Sequence, residues 1–193
     1  KNNSESSFCV PIRQKVMSYA EVCLLKAEAA LRGWNGAGDA KANYLAGIKA
    51  SFEAERAMVS DASLYSTAND NTYMTTGKVE WKGDADFETH LEQIITQKWL
   101  ALYPNGTEAW TEFRRTGYPK LTPVKVSMES TINAANGEFV KKLRYVDDEL
   151  RENPNASDKS LNGGKGDGMN VRVWWPNIGN QLAGGRLSPR HRE

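Results

Sequence analysis

The chain has little of what most chemical machinery requires. Its 193 residues include 2 Cys and 2 His. Cys9 and Cys23 make neither a disulfide framework nor a zinc site without further ligands. Cys23 falls inside an apolar helical run and reads as a small buried hydrophobe. His90 is the one histidine in the patterned body and His191 lies in the tail, so no metal-binding histidine cluster can be assembled. His90 reads as facing the polar side of its helix, which leaves no Ser–His–Asp or Cys–His arrangement to propose. No apolar run approaches the ~18 residues of a membrane span. There is no excess of one charge either. The 25 Lys and Arg stand against 24 Asp and Glu, a net +1, which argues against nucleic-acid or anionic-membrane binding driven by bulk charge. The first residues, Lys1-Asn2-Asn3, show no Met, no signal peptide and no lipid-attachment cysteine context, and read as the interior or tail of something longer.

What is present is a core. Hydrophobic residues make up 39% and charged residues 25%, enough to bury apolar surface. The pattern becomes helical near Val16, where Ala20, Leu24, Ala27, Leu31 and Trp34 step by four and three along one face. Val16, Cys23, Ala27 and Ala30 add a second apolar row, so this first helix reads as central and buried. Gly33 and Asn35-Gly36 end it. Asp39 offers an N-cap for a second helix, over 38–59, with Tyr44, Leu45, Ile48 and Phe52 on one side. The short connection predicts an antiparallel helical hairpin of tetratricopeptide type, with small residues at its contacts and no second copy in the chain. Periodicity is lost over 60–83, a long irregular connection of the kind that is usually functional or disordered, and its aromatics disfavour disorder. Helix signals return at Asp84 or Asp86, with Phe87, Leu91, Ile94, Ile95, Trp99 and Leu102 forming an apolar face. Asn105 and Glu108 have capping-box spacing ahead of a short helix over 107–115. From 120 onward turn formers dominate, with weak alternation at Val124-Lys125-Val126 and no pattern over 182–193. The predicted class is mainly α: a tetratricopeptide-like hairpin over 12–59, the connection 60–83, a helix pair over 84–119 and a loop-rich end over 120–193.

No catalytic constellation stands out. Glu88 with Glu92, and Glu108 with Glu112, are i, i+4 carboxylate pairs that read as solvated helix faces near helix starts. The run Gly163-Gly164-Lys165-Gly166-Asp167-Gly168 lacks the order of a phosphate loop and has no strand before it, so it reads as a flexible surface loop. Arg114 and Arg115 suit the end of their helix and read as organising the fold. The aromatics are the more suggestive set, with 6 Trp and 7 Tyr. Sugar C–H faces pack on aromatic planes, so loop rings are natural carbohydrate platforms. Trp34, Trp99 and Trp110 read as core. Tyr65, Tyr73 and Trp81, in the long connection, are the candidate ligand-binding residues. The reading is of a binding protein, not an enzyme, with no metal and no cofactor.

The segment from Met17 to Trp34, with Tyr19-Ala20-Glu21 and Ala27-Glu28-Ala29, resembles a tetratricopeptide-like helix of the SusD/RagB family of Bacteroidetes outer-membrane lipoproteins. Tyr44 to Ser51 resembles the next helix of that family. The run Gln97-Lys98-Trp99, then Glu108-Ala109-Trp110, Arg114-Arg115-Thr116-Gly117 and Pro119 is similar to the SusD-like branch described as starch-binding and associating with the outer membrane. Arg144-Tyr145 and Val173-Trp174-Trp175 resemble its closing pieces, with Val146 and Pro176 departing from the pattern. The likeness covers about residues 16–176 and implies that residues 1–193 are the C-terminal portion of a single SusD-like domain. It further implies capture of a nutrient, chiefly a glycan, at the bacterial cell surface. The partner would be a SusC-type TonB-dependent transporter, and the lipid anchor would lie on an N-terminal part absent from this chain. The alternative is a tetratricopeptide-like protein–protein interaction module without sugar affinity of its own.

Overall fold

A computed structural model describes residues 16–59, 61 and 66–173. Cys9, Tyr65, Trp174, Trp175, His191 and the 182–193 tail lie outside the described residues. The protein is mainly helical, with no strand among the described residues, so the alternation at Val124–Val126 builds none. The chain divides into two compact units, residues 1–113 and 114–193.

In the first unit, α1 spans Tyr19–Leu31. Ser18 Oγ accepts the Glu21 N–H at 3.1 Å and so satisfies one of the free donors of the first turn. The helix ends in a Schellman turn: Gly33 N–H donates to Ala30 O at 2.9 Å and Trp34 N–H to Ala29 O at 3.0 Å. Gly33 takes φ +73°, a region closed to most residues with a Cβ. This reversal carries Trp34 off the helix, where it is 65% exposed. The expected core position fails because the four-and-three spacing no longer applies beyond the cap.

Helix α2 spans Ala40–Ala57, and Asp39 Oδ1 accepts the Ala42 N–H at 2.7 Å. It packs on α1 to form the expected hairpin. The two backbones meet at Gly47, where an added Cβ would lie 2.6 Å from Leu24 Cγ. Helix α3, Asp70–Met74, lies within the connection read as irregular. It is too short to show a period, and Arg56 of α2 holds it through an ion pair with Asp70. Helix α4, Phe87–Ala101, starts at Asp86 rather than Asp84, since Asp86 Oδ1 accepts the Thr89 N–H at 2.8 Å. It lies against both α1 and α2. The shared core is Ala20, Leu24 and Ala27, Tyr44 and Ile48, and Ile94 and Ala101. Helix α5, Gly106–Thr116, follows, with Asn105 Oδ1 accepting the Glu108 N–H at 3.2 Å. That is the first half of the expected capping box.

The second unit is loop-rich. Among its described residues are α6 (Asp147–Glu152), α7 (Pro154–Ser157) and the turn-like α8 (Leu161–Gly164), whose Asn162 and Gly163 take φ +56° and +71°. Side chains do the joining that a ladder would do elsewhere. Glu129 accepts from both Thr131 N–H (3.0 Å) and Thr131 Oγ1 (2.7 Å), and Thr131 Oγ1 accepts the Met169 N–H at 2.9 Å.

Candidate functional site

The connection between α2 and α4 has no ladder of its own, and its backbone carbonyls need donors. Side chains of α2 and α4 supply them. Tyr44 donates its hydroxyl to Val79 O at 2.7 Å. Gln93 Nε2 donates to Glu80 O at 2.6 Å and to Lys78 O at 3.1 Å, while its Oε1 accepts the Lys82 N–H at 3.3 Å. His90 Nε2 lies 2.6 Å from Lys82 O; a carbonyl can only accept, so this nitrogen carries the proton. Burial first, and then the neighbouring Tyr73, push the Tyr44 phenol above its usual value, which keeps it a neutral donor.

The candidate rings are set into this scaffold. Trp81 is half-buried and stacks on His90, ring centres 4.2 Å apart and planes 6° from parallel. It also meets Tyr44 at 5.2 Å. Tyr73, half-buried, donates its hydroxyl to Gln97 Oε1 at 3.1 Å and stands edge-on to Phe52 at 5.3 Å. Both rings pack against the hairpin core, so they are fixed parts of it rather than free platforms on an open loop. His90 is 8% exposed, which corrects its placement on the polar side. Its stacking on Trp81 and its bond to a distant carbonyl turn it inward, and neither contact leaves a trace in helix periodicity. The polar residues missed in the sequence are Gln93 and Gln97. Their signal was an amide pair at i, i+4 flanking Ile94 and Ile95.

A second feature joins segments that resemble family motifs. Lys98 of α4 is 2% exposed. Its Nζ lies 3.4 Å from Glu112 Oε2 on α5 and 4.0 Å from Glu21 Oε1 on α1. Glu21 and Glu112 are both buried. Glu112 therefore does not belong to a solvated face, and Glu88, Glu92 and Glu108 are half-buried. One buried ammonium between two buried carboxylates ties three helices together. Glu28, also buried, meets Arg32 at 2.8 Å, and that guanidinium lies 5.3 Å from the centre of the Phe87 ring.

Within the second unit the glycine-rich run is an organised hub, not a loose loop. Asp167, 7% exposed at its side chain, pairs with Lys142, approaches Arg144 Nε at 3.8 Å and accepts the Tyr145 N–H at 2.9 Å. Gly168 has no room for a Cβ, which would sit 2.8 Å from Asn170 Oδ1 and 3.3 Å from Thr131 Cβ. Arg114 Nη1 donates to Lys141 O at 2.9 Å, a fold-organising contact. Burial holds its pKa below the usual arginine value. Among the described residues, no group of three or more His, Cys, Asp and Glu side chains is placed to hold a metal ion. No helix among them is long and apolar enough to cross a membrane.

Residues 3–176 match the family profile described as SusD-like, "Susd and RagB outer membrane lipoprotein". A SusD homologue from Bacteroides thetaiotaomicron is similar at 36% identity and a TM-score of 0.65, over 83% of this chain and 38% of that one. A SusD homologue from Bacteroides ovatus matches at 39% identity and a TM-score of 0.63, over 81% of this chain and 36% of that one. A chitin-binding SusD homologue from Flavobacterium johnsoniae matches at 38% identity and a TM-score of 0.61, over 81% of this chain and 35% of that one. The chain thus spans well under half the length of these solved relatives. No curated protein sequence is significantly similar to it.

Proposed function

The chain belongs to the SusD/RagB family of outer-membrane lipoproteins, and we propose that it is the C-terminal portion of a single SusD-like domain that binds a nutrient, chiefly a glycan, at the bacterial cell surface. The bound ligand passes without chemical change to a SusC-type TonB-dependent outer-membrane transporter. The anchor is an N-terminal lipid of the longer protein, and such a lipid gives a membrane address without a spanning helix. The observation that carries the reading is the family match over residues 3–176, together with a chitin-binding homologue at 38% identity.

Non-covalent capture fits the chemistry of the connection between α2 and α4. Tyr73 and Trp81 offer half-buried rings whose orientation is already set by Gln97 and His90, and a prepositioned ring loses little entropy when it meets a sugar face. Tyr65, from the same connection, completes the proposed contact set. Isothermal titration of the full-length protein against a glycan panel, led by chitooligosaccharides, is the test. Saturable binding to at least one member is expected, and absence of binding to every oligosaccharide and peptide tried would remove the capture role. Pull-down of the transporter by a protein that binds no glycan would favour the interaction-module alternative.

A further inference from the structure

The second unit carries an exposed ring that the proposed capture by Tyr65, Tyr73 and Trp81 does not use. Tyr145 is 56% exposed, although its surroundings are fixed. Its backbone N–H donates to Asp167 Oδ2 at 2.9 Å. The Lys142 ammonium lies 4.8 Å from the ring centre, over one face. That ammonium is itself held by Asp167 and donates to Leu143 O at 3.2 Å. An anchored cation on one face fixes where the ring stands and leaves the opposite face to water. The phenol hydroxyl has no hydrogen-bond partner among the described residues.

Arg144, the preceding residue, complements the ring. Its Nε lies 3.8 Å from Asp167 Oδ2 and its Nη1 4.0 Å from Glu129 Oε2. Both separations exceed a hydrogen bond, so two carboxylates steer the guanidinium without occupying its N–H donors. Its side chain stays 47% exposed. Glu129 supplies an acceptor. Hydrogen bonds from the Thr131 hydroxyl and N–H, and then the charge of Arg144, hold its carboxyl below the usual range. Within this cluster Lys142 and Arg144 balance Asp167 and Glu129, so there is no net charge to draw in an ionic ligand.

An exposed ring by itself needs no explanation. Here one buried carboxylate, Asp167, sets both the ring and an exposed guanidinium. A plane beside donors and acceptors of balanced charge suits a neutral sugar, which offers a C–H face and hydroxyls that both donate and accept. We propose that Tyr145 and Arg144 form a contact site for a neutral oligosaccharide on the second unit. Tyr145 is the stacking plane, Arg144 the donor and Glu129 the acceptor, while Asp167 and Lys142 are positioning residues. This rests on the reading of the protein as a glycan binder, and gives that reading a contact outside the connection between α2 and α4.

The test is Tyr145→Ala and Arg144→Met in the full-length protein. Each is titrated with neutral oligosaccharides, led by chitooligosaccharides, and with oligogalacturonate as the acidic counterpart. Loss of the stacking plane is expected to weaken binding of the tightest neutral member about three- to tenfold. The thermal midpoint should stay in place, because the ring is largely in water. Tyr145→Phe keeps the plane and is expected to recover most of the affinity. Arg144→Met removes the donors and keeps the stem, and should weaken binding about threefold. Unchanged affinity in both Tyr145→Ala and Arg144→Met would overturn the inference. So would a lowered midpoint with unchanged affinity in Tyr145→Ala, since the ring would then be a structural part. Tighter, Arg144-dependent binding of oligogalacturonate would overturn the neutral class. If the unaltered protein binds no glycan at all, the capture reading itself fails, so the two failures are distinct.

Discussion

Lys98 is the residue whose removal has the clearest consequence. It sits almost out of water between Glu112 and Glu21, carboxylates from two other helices. A buried ion pair adds little net stability compared with apolar packing, but taking away one partner strands the other charges. Lys98→Met keeps most of the side-chain volume and leaves two buried carboxylates without their shared cation. The expected loss is about 3–5 kcal/mol in urea unfolding, and a loss under about 1 kcal/mol would mean that water or neighbouring groups compensate the two carboxylates. Asp86 acts in the opposite regime, at the surface. Hydrogen bonds from the Thr89 hydroxyl and N–H hold its carboxyl below the usual range, with a smaller contribution from His90. Its folded-state pKa is depressed, so its contribution is complete above the unfolded value of about 3.9 and fades as pH falls through the folded value. The thermal midpoint should therefore drop on acidification below about pH 4, and Asp86→Asn should lack that component while still capping α4. Parallel midpoint curves for the two proteins would contradict it.

At the scale of elements, the contest between propensity and packing is sharpest at Gly47. In an exposed helix interior, Gly→Ala gains about 1 kcal/mol. Here the new Cβ would fall 2.6 Å from Leu24 Cγ and 3.3 Å from Ala20 O. Leu24 is fully buried and has nowhere to go, and overpacking costs about 1–3 kcal/mol. Gly47→Ala should therefore be net destabilising by about 1 kcal/mol in chemical denaturation, and a stabilised variant would show that the hairpin can open. The same elements show how far the sequence could be read. Caps are local chemistry, so Asp39, Asn105 and the Gly33 stop were legible, and long amphipathic runs placed α1, α2 and α4. What escaped depends on distant partners. Five residues of α3 carry no period, His90 turns inward to meet Trp81 and Lys82 O, and Glu112 is buried where Lys98 reaches it. Trp34 was misplaced by one turn of backbone beyond a helix cap.

At the scale of the molecule, the rings proposed to meet the ligand share their supports with the core. The connection carrying Tyr73 and Trp81 is held down by Tyr44, His90, Gln93 and Gln97, and those residues belong to helices of the core. A ring so placed cannot be removed without loosening the backbone around it. Truncating a fully buried aromatic costs about 3–5 kcal/mol, and Trp81 is half-buried, so Trp81→Ala should cost about 2 kcal/mol and expose the Lys78–Lys82 backbone to exchange. If this connection presents the ligand surface, glycan affinity and thermal midpoint should fall together in Trp81→Ala of the full-length protein. Saturating glycan should then restore part of the midpoint, because a ligand that binds only the folded state stabilises it by mass action. Affinity kept at the wild-type value despite a lowered midpoint would place the binding surface elsewhere in the longer fold, and would leave Trp81 as the clamp that closes the connection over α4.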